Sequence, residues 1–200
     1  MIAIIDYDAG NMKSVQKALD YLGAEYKVTR DINELRMSDK LILPGVGAFG
    51  DAMEKLNSYG LTSEIQKLVA DGKPILGICL GMQVMFEESE ESPGVKGLSL
   101  LPGKVVRFSE SHGLKIPQIG WNSISFPKES KLFEGIKEES YVYFVHSYYV
   151  QAADVSVVAA TTEYGDHVHA AVESGNIYAC QFHPEKSSDV GLKILENYVN

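Results

Sequence analysis

The first half of the chain alternates short apolar runs with segments whose apolar residues recur at helical spacing. A short continuous apolar run is typical of a strand covered on both faces. Four such runs predict strands, at 2–5 (IAII), 25–29, 41–43 (LIL) and 74–78 (PILGI). Helices are predicted over about 12–22, over the segment with Leu61, Ile65, Leu68 and Val69, and over about 81–90. This alternation indicates right-handed crossovers and a parallel sheet.

After about residue 95 strand-like runs follow one another, and turn-forming residues separate several of them. The runs lie at 104–108, 120–126, 141–145, 155–161, 168–173 and 176–182. They predict an antiparallel portion that extends or flanks the parallel sheet. A last helix is predicted over about 188–199. Neither a repeat nor a clear linker interrupts the sequence, so we expect one α/β domain over 1–200.

Composition narrows the classes of function. The 200 residues carry a formal net charge of −9 without a basic cluster, which argues against a nucleic-acid surface. Two cysteines do not make a disulfide framework, so we expect a reducing, cytoplasmic environment. The start of the chain lacks a basic n-region, and no apolar stretch approaches the ~20 residues that span a bilayer. We therefore expect neither secretion nor membrane insertion.

Cys79 is the candidate nucleophile. It lies in Gly77-Ile78-Cys79-Leu80-Gly81, a G-x-C-x-G sequence between a predicted strand and a predicted helix. A nucleophile elbow requires this context, because a side chain on either flanking residue would crowd the strained turn. The helix amides favour a thiolate. The alternative is a buried structural cysteine, which is the interpretation we give to Cys180.

His183 and Glu185 are the candidate base and its orienting acid. Pro184 favours extended backbone at His183, and in extended chain residues i and i+2 point to the same side. Glu185 can then hold one imidazole nitrogen while the other faces Cys79. A surface turn is the alternative explanation of His-Pro-Glu, and the pairing with Cys79 decides against it.

The remaining histidines are weaker candidates. His112 lies in a polar loop, His146 ends a strand and is ambiguous, and His167 and His169 alternate along a strand. His-x-His can bind zinc, but a third ligand with supporting spacing is missing from the sequence, so we expect no metal site.

The Pro44-Gly45-Val46-Gly47 segment follows a strand and is a candidate oxyanion loop. Attack on an amide carbonyl creates an oxyanion that needs backbone N–H donors. Leu80, just after the nucleophile, offers one amide, and Val46 or Gly47 offers the second. Ligands bind outside the carboxyl ends of parallel strands, where the loops carrying these residues meet. An ordinary strand-ending turn is the alternative.

PGVG, GICLGMQ and QFHPEKS, in this order and spacing, resemble the class I glutamine amidotransferases with a Cys-His-Glu triad. VKGLSLLPG, IPQIGWN, YFVHSY and TTEYG resemble, more narrowly, the glutaminase subunits of imidazole glycerol phosphate synthases of histidine biosynthesis. The resemblance covers nearly the whole chain and implies a flavodoxin-like fold. One position departs from the pattern: Asp8 stands where the family's opening DYG-x-GN has glycine.

The resemblance implies that a Cys79 thioester forms during glutamine hydrolysis, without a cofactor. It also implies that Gly47, Gln83, Glu91 and the Ser147–Tyr148 backbone hold glutamine. The ammonia would pass to a (β/α)₈-barrel cyclase subunit, which makes imidazole glycerol phosphate and aminoimidazole carboxamide ribotide. Because ammonia must not meet bulk water, we expect that partner to cover the Cys79 rim. The expected contacts are Asn11, Lys13, Trp121, Asn122, Tyr143 and Lys186.

Two other functions remain open from the residues. The chain could be a γ-glutamyl hydrolase of the same fold or the glutaminase of another synthase, although the IGWN and VHSY segments argue against both. It could also be a non-enzymatic subunit with a decayed site, against which the intact triad argues.

Overall fold

The structure, a computed structural model, describes residues 1–8 and 12–200. The strands in this part of the chain are β1 (Ile2–Ile5), β2 (Tyr26–Thr29), β3 (Lys40–Gly45), β4 (Ile75–Cys79), β5 (Glu88–Ser89), β6 (Gly103–Arg107), β7 (Gln118–Ile124), β8 (Ser140–His146), β9 (Tyr148–Ala152), β10 (Val158–Tyr164), β11 (Asp166–Ser174) and β12 (Ile177–Cys180). The helices are α1 (Met12–Tyr21), α2 (Ile32–Met37), α3 (Phe49–Ser58), α4 (Leu61–Ala70), α5 (Leu80–Gln83) and α6 (Ser188–Val199). Short 3₁₀ helices occupy Glu110–His112, Lys131–Phe133, Val155–Val157 and Pro184–Lys186.

A seven-stranded sheet in the order β10-β11-β12-β4-β3-β1-β2 forms the centre of the molecule. Its parallel part, β2-β1-β3-β4-β12, has the strand order of flavodoxin-like folds. The antiparallel strands β11 and β10 extend one edge. The predicted α/β class, with its antiparallel extension, is therefore confirmed.

Helices cover both faces of the sheet because its strand residues alternate between two apolar clusters. Ala3 and Ile5 pack with α2, α3 and α4 on one face. Ile2 and Ile4, with Ile42 and Leu76, pack with α1 and α6 on the other. The continuous apolar runs of the sequence thus correspond to strands buried on both sides.

Two smaller sheets flank the central one. β5, β6 and β9 form a three-stranded sheet, and β7 and β8 form an antiparallel ribbon in which Trp121 faces Tyr143 in register. Ser125 and Thr161 bridge the end of this ribbon to β10. The ribbon is also fastened to the chain beyond β12, because the amide of His183 donates to the carbonyl of Tyr143 at 2.9 Å.

The predicted helix over about 81–90 is wrong, since α5 ends at Gln83. The carbonyls of Val84, Met85 and Phe86, which would continue a helix, accept from the amides of Leu98, Leu100 and Ser99. Amides of the segment 97–101 therefore supply the hydrogen bonds that the next turns of a helix would have supplied. This competition between distant backbone donors is invisible to a local apolar pattern.

Other predictions needed smaller corrections. The run at 176–182, assigned to the antiparallel portion, contains β12, which also pairs in parallel with β4. The run at 155–161 begins as a 3₁₀ helix before β10 starts at Val158. Among the described helices and strands, α2, α3, β5 and β9 were not predicted. The pattern Phe49, Ala52, Met53 and Leu56, all buried, was a signal for α3.

Candidate active site

Cys79 is the last residue of β4 and directly precedes α5. Its φ of 54° lies in the left-handed region, which is uncommon for a residue other than glycine. This strained turn brings the side chain to the edge of the sheet where β3 also ends, since Gly45 pairs with Cys79 in register. The G-x-C-x-G segment thus has the strand–turn–helix geometry of a nucleophile elbow.

The glycines on either side of Cys79 make this turn possible. A Cβ on Gly81 would lie 1.8 Å from the carbonyl oxygen of Leu43, and one on Gly77 would lie 2.8 Å from the carbonyl oxygen of Gly81. Both contacts are shorter than real Cβ atoms tolerate. Larger residues at either position would therefore displace the backbone that carries Cys79.

His183 and Glu185 form a buried pair beside this turn. The Nδ1 atom of His183 donates to Oε1 of Glu185 at 2.8 Å, and the side chains are 2% and 1% exposed. His183 has extended backbone (φ −101°, ψ 95°) and precedes the 3₁₀ helix that begins at Pro184. The proline thus sets the turn that returns Glu185 to the imidazole.

The environment of His183 favours its charged form. Burial alone lowers the pKa of the imidazole, but interactions with the Cys79 sulfur and the Glu185 carboxylate outweigh that effect and raise the pKa to about 9. The buried Nε2 makes no well-formed hydrogen bond with a described atom. The Cys79 sulfur still raises the pKa of His183, through a hydrogen-bonding interaction of imperfect geometry and through its charge. Hydrogen bonds between catalytic groups are often long or poorly aligned before substrate binds.

Cys79 and His183 line one cavity of about 270 Å³, which is large enough for an amino acid. The predicted oxyanion and substrate-binding residues line the same cavity: Val46, Gly47, Leu80, Gln83, Glu91, Ser147 and Tyr148. Glu185 lies behind His183 and faces a smaller void next to Val15 and Pro44. A larger open groove of about 740 Å³ lies at Phe126–Glu138, away from Cys79, and is lined by lysine, glutamate, serine and phenylalanine.

Glu91 and Gln83 already have protein partners. Glu91 Oε2 accepts from the amide of Phe49 at 2.8 Å, the first residue of α3, so Glu91 joins the cavity to that helix. Glu91 lies in the turn that follows β5. The Nε2 of Gln83 donates to the carbonyl of Tyr148 at 2.9 Å and to Gln181 at 3.0 Å. Both side chains are therefore held in place beside the cavity.

His146 and Gln181 adjoin Cys79 but were not predicted as site residues. His146 lines the cavity, and its Nδ1 donates to the carbonyl of Tyr148 at 2.8 Å. Gln181 is fully buried and its Nε2 lies 3.7 Å from the Cys79 sulfur. The sequence signal for Gln181 was its place two residues before His183, since in extended chain residues i and i+2 point to the same side.

Among the predicted interface residues, Asn11 lies outside the described residues, and Trp121, Tyr143 and Lys186 lie close together. Lys13 and Lys186 are exposed, and Trp121 is 50% exposed, so Trp121 is not a core aromatic. Tyr143 is half-buried between them, with its ring centroid 6.1 Å from that of Trp121 and 6.0 Å from Nζ of Lys186. Asn122, also half-buried, donates to the carbonyl of Glu163.

Asp8 occupies its position without distorting the loop start. Its φ of 61° is the left-handed conformation that glycine adopts freely and aspartate tolerates. Its carboxylate accepts from Arg30 at 2.6 Å and also from Tyr59, while Nζ of Lys55 donates to its carbonyl. The hydrogen bond from Arg30, with that from Tyr59, holds the pKa of Asp8 below its ordinary value.

The other cysteine and the His-x-His pair have structural surroundings. Cys180 is fully buried in β12, and burial raises the pKa of its thiol. His169 accepts from the amide of Ala152 at 3.1 Å, and His167 pairs with Glu163. In the described part of the chain, none of the helices is long and apolar enough to cross a lipid bilayer.

Comparison with known proteins gives a family for this site. The family model described as "Glutamine amidotransferase class-I" matches residues 3–200. An imidazole glycerol phosphate synthase subunit HisH of Chlorobaculum tepidum is 51% identical, with 99% of this chain and 98% of that protein covered. The corresponding subunit of Methanothermobacter thermautotrophicus is 52% identical, with 100% and 98% covered.

The chain belongs to the class-I glutamine amidotransferases, among the HisH subunits of imidazole glycerol phosphate synthase. A solved structure described as a glutamine amidotransferase shares the fold, with a TM-score of 0.77, 24% identity and 99% of each chain covered. These findings confirm the fold class and the family predicted from the motifs. The class-I amidotransferase assignment makes the chain an enzyme, rather than a binding subunit.

Proposed function

We propose that this chain hydrolyses the side-chain amide of glutamine and supplies the ammonia to the cyclase subunit of imidazole glycerol phosphate synthase in histidine biosynthesis. One observation carries the chemistry. Cys79 and His183 line a single cavity, and the carboxylate of Glu185 accepts from His183 at 2.8 Å. Nucleophile, proton carrier and orienting acid therefore stand in the relation that covalent amide hydrolysis needs.

The first half-reaction is acylation. The Cys79 thiolate attacks the amide carbon of glutamine, and a bond forms between sulfur and carbon. His183, protonated because its pKa is about 9, then gives its proton to the leaving nitrogen as the carbon–nitrogen bond breaks. Ammonia leaves and a glutamyl thioester remains on Cys79.

The second half-reaction is hydrolysis of the thioester. His183, now neutral, takes a proton from water while the water oxygen attacks the thioester carbon. The carbon–sulfur bond breaks, glutamate leaves and the thiolate returns beside a protonated His183. Glu185 holds Nδ1 throughout, so Nε2 stays available to the reacting atoms. The sum is glutamine plus water to glutamate plus ammonia.

Backbone amides are the proposed donors to the oxyanion in both steps. The amide of Leu80 follows the nucleophile at the start of α5, and the segment with Val46 and Gly47 lines the same cavity. Each such donor contributes about 10²–10³ in rate in other amide-cleaving enzymes.

The proposed substrate pose places the glutamine side-chain amide at Cys79. The substrate ammonium would meet the carboxylate of Glu91, and the Ser147–Tyr148 backbone and Gly47 would line its main chain. These groups come from four separate segments of the chain and line one cavity. A cavity of this size favours a single amino acid over a larger peptide, which weakens the γ-glutamyl hydrolase alternative.

The proposed partner surface is the outward face of the β7–β8 ribbon with Lys13 and Lys186. The residues of that face alternate with the buried ones, and three of its large side chains are exposed: Ile119 (63%), Trp121 (50%) and Tyr141 (59%). Apolar side chains grouped in this way mark an interaction site. Ile119 and Tyr141, which were not predicted, extend the patch around Trp121. We further expect the complex to be cytoplasmic, because both cysteines are free thiols.

Substitution of the nucleophile tests the function. In the complex with the cyclase, Cys79→Ala should abolish glutamine-dependent synthesis and leave synthesis from added ammonium salts intact. Cys180→Ala, which removes the second buried thiol, is the matched control and should retain both activities. Glutamine-dependent turnover close to wild type in Cys79→Ala would refute the proposal.

Charge reversal tests the partner surface. Lys186→Glu should weaken complex formation, measured as the dissociation constant, while circular dichroism stays unchanged. Lys193→Glu on α6, where Lys193 pairs with Glu196 at 2.8 Å, is the control on another surface. Equal dissociation constants for the two variants would argue against this face.

A further inference from the structure

A chain of buried hydrogen bonds reaches the Cys79 sulfur through Gln181. The Nε2 of Gln181 lies 3.7 Å from the sulfur, and its Oε1 accepts from Nε2 of Gln83 at 3.0 Å. The same nitrogen of Gln83 donates to the carbonyl of Tyr148 at 2.9 Å. Gln181 is fully buried and Gln83 is 5% exposed, so water does not compete for these groups. The nucleophile therefore has a fixed amide neighbour besides His183.

The direction of these bonds is determined by the main chain. The carbonyl of Tyr148 can only accept, so Gln83 must turn its NH₂ group towards it. That group has two hydrogens, one for Tyr148 and one for the oxygen of Gln181. Gln181 must then present its own NH₂ group, and not its oxygen, to Cys79. The carbonyl of Tyr148 thus determines, through Gln83, that an N–H donor faces the Cys79 sulfur.

His146 reinforces this polarity. Its Nδ1 also donates to the carbonyl of Tyr148, at 2.8 Å, so two donors hold that oxygen. Its Nε2 lies 3.0 Å from Oε1 of Gln118 in β7. Because Nδ1 carries the proton, Nε2 accepts, and we assign the Gln118 amide in the flipped orientation that directs its NH₂ group to Nε2. Gln118 and His146 are 3% and 6% exposed. The side chains that support Gln181 are therefore buried, although the Tyr148 residue on which they converge lines the cavity.

The strand pairing explains why Gln181 is the residue that reaches the sulfur. β12 pairs in parallel with β4, and Cys180 lies opposite Ile78. The next residue of each strand is Gln181 on one side and Cys79 on the other. His183 follows two residues later, after a bend at Gln181 and Phe182, and it too approaches the Cys79 sulfur. One short segment thus carries both groups that approach the nucleophile.

We propose that Gln181 is a hydrogen-bond donor that stabilises the Cys79 thiolate and holds it for attack. An N–H donor binds a thiolate more strongly than a neutral thiol, because bonds to ionised acceptors are the stronger ones. The inference rests on the proposed role of Cys79 as nucleophile. It adds a second residue that acts on the sulfur, one that does not line the glutamine cavity itself.

Alkylation of Cys79 by iodoacetamide tests this directly, because only the thiolate reacts. In the full chain, Gln181→Met keeps the length of the side chain and removes the donor. We expect alkylation at neutral pH to be about tenfold slower, with the rate profile displaced to higher pH. In the complex, kcat for glutamine should fall by a similar factor with little change in KM. Mass spectrometry identifies the alkylated cysteine.

A matched control separates this effect from loss of a buried polar group. Thr162→Val removes a buried hydrogen bond to the carbonyl of Ser123, at a site not part of this chain of bonds, and should leave the profile unchanged. Gln83→Met keeps Gln181 but removes the donor that fixes the orientation of its side-chain amide. We expect it to shift the pH profile of alkylation less than Gln181→Met does. Alkylation needs no glutamine, so a substrate-binding role of Gln83 does not affect it.

The outcomes distinguish the inference from the proposed function. An unchanged profile in folded Gln181→Met would overturn the role of Gln181, while loss of activity in Cys79→Ala would still support glutamine hydrolysis. If Gln181→Met does not fold, Gln83→Met decides: a displaced profile supports the imposed donor, and an unchanged one overturns it. Glutamine-dependent activity in Cys79→Ala would instead overturn the function on which the inference rests.

Discussion

His183 and His146 line the same cavity and are buried to similar extents, 1% and 6% exposed, yet they differ in charge. His183 donates through Nδ1 to the carboxylate of Glu185, and His146 donates through Nδ1 to the carbonyl of Tyr148. The pKa of His183 is raised to about 9, whereas that of His146 is lowered to about 4. One histidine is therefore protonated at neutral pH and the other is neutral.

The difference comes from the partners and not from burial. Burial lowers the pKa of both imidazoles and is the largest single influence on each. At His183 the Cys79 sulfur and Glu185 outweigh it. At His146 the carbonyl of Tyr148 offsets it only in part, and the charge of His183 lowers the pKa further. Of the two, only His183 is an imidazolium at neutral pH, the form that can give a proton to a leaving group.

Removing the two imidazoles should therefore have unequal consequences. His183→Ala should lower glutaminase turnover of the complex by about 10⁴-fold or more, because the proposed proton carrier is lost. His146→Asn should lower it by no more than about 10²-fold, the scale of a misplaced binding group. Steady-state kinetics of both variants make the comparison. A larger loss in His146→Asn would assign the proton to His146.

The carboxylate of Glu185 is the feature that His146 lacks. Glu185→Gln should lower turnover by about 10²–10⁴-fold and leave measurable residual activity, since the imidazole remains. The pKa of His183, followed by NMR, should fall from about 9 while that of His146 changes little. A His183 titration that is the same with and without the carboxylate would show that Glu185 does not set its charge.

The pH dependence of folding should show the same contrast. The pKa of His146 falls from 6.5 in the unfolded chain to about 4 when folded, so protons favour the unfolded state. Stability should be retained above pH 6.5 and decline by about 3 kcal/mol as the pH falls towards 4. In His146→Gln this decline should disappear from urea unfolding curves at pH 4–8, with pH 8 as the baseline for each protein.

His183 should contribute to stability with the opposite pH dependence, between pH 6.5 and 9. Its folded pKa of about 9 exceeds the ordinary 6.5, so its stabilisation is present below pH 6.5 and is lost as the pH rises through 9. The difference in stability between wild type and His183→Ala should therefore shrink between pH 6.5 and 9. If the stability difference between wild type and His183→Ala instead increased with pH, the folded protein would not stabilise the charged form of the His183 imidazole.

The smallest expected effect concerns a buried hydroxyl near Cys79 that lacks a hydrogen-bond partner in the described part of the chain. The hydroxyl of Tyr7, 1% exposed, has no hydrogen-bond partner among the described residues. Burial, followed by the charge of Cys79, raises the pKa of this phenol. Tyr7→Phe should therefore stabilise the fold by about 1 kcal/mol in urea unfolding.

Tyr198 provides the matched control for Tyr7. It is 3% exposed, and its hydroxyl donates to the carbonyl of Leu41 at 2.6 Å. Tyr198→Phe should therefore destabilise the fold by about 1 kcal/mol, because it leaves a buried carbonyl without this donor. Equal shifts of the same sign in the two variants would show that hydrogen bonding does not distinguish these tyrosines.

Much of the fold and the composition of the cavity followed from short stretches of sequence. The apolar runs predicted the parallel strands because residues buried on both faces of a sheet are apolar whatever their distant neighbours are. G-x-C-x-G and His-Pro-Glu are similarly local, since their geometry depends on residues within two or three positions. Parallel strands end at one edge of a sheet, which brings such loops together without further information.

Distant contacts decided the rest. α5 stops at Gln83 because amides from 97–101 take the carbonyls of the next turn. The carbonyl of Tyr148 accepts from Nδ1 of His146 and from Gln83, and Gln83 in turn donates to the oxygen of Gln181. This one acceptor therefore fixes which nitrogen of neutral His146 carries the proton and directs the NH₂ group of Gln181 to Cys79. Trp121 is exposed because its face of the ribbon has no cover within the described chain. The sequence thus determined which residues could act, and only the tertiary structure decided their charge, direction and exposure, because these depend on partners far away along the chain.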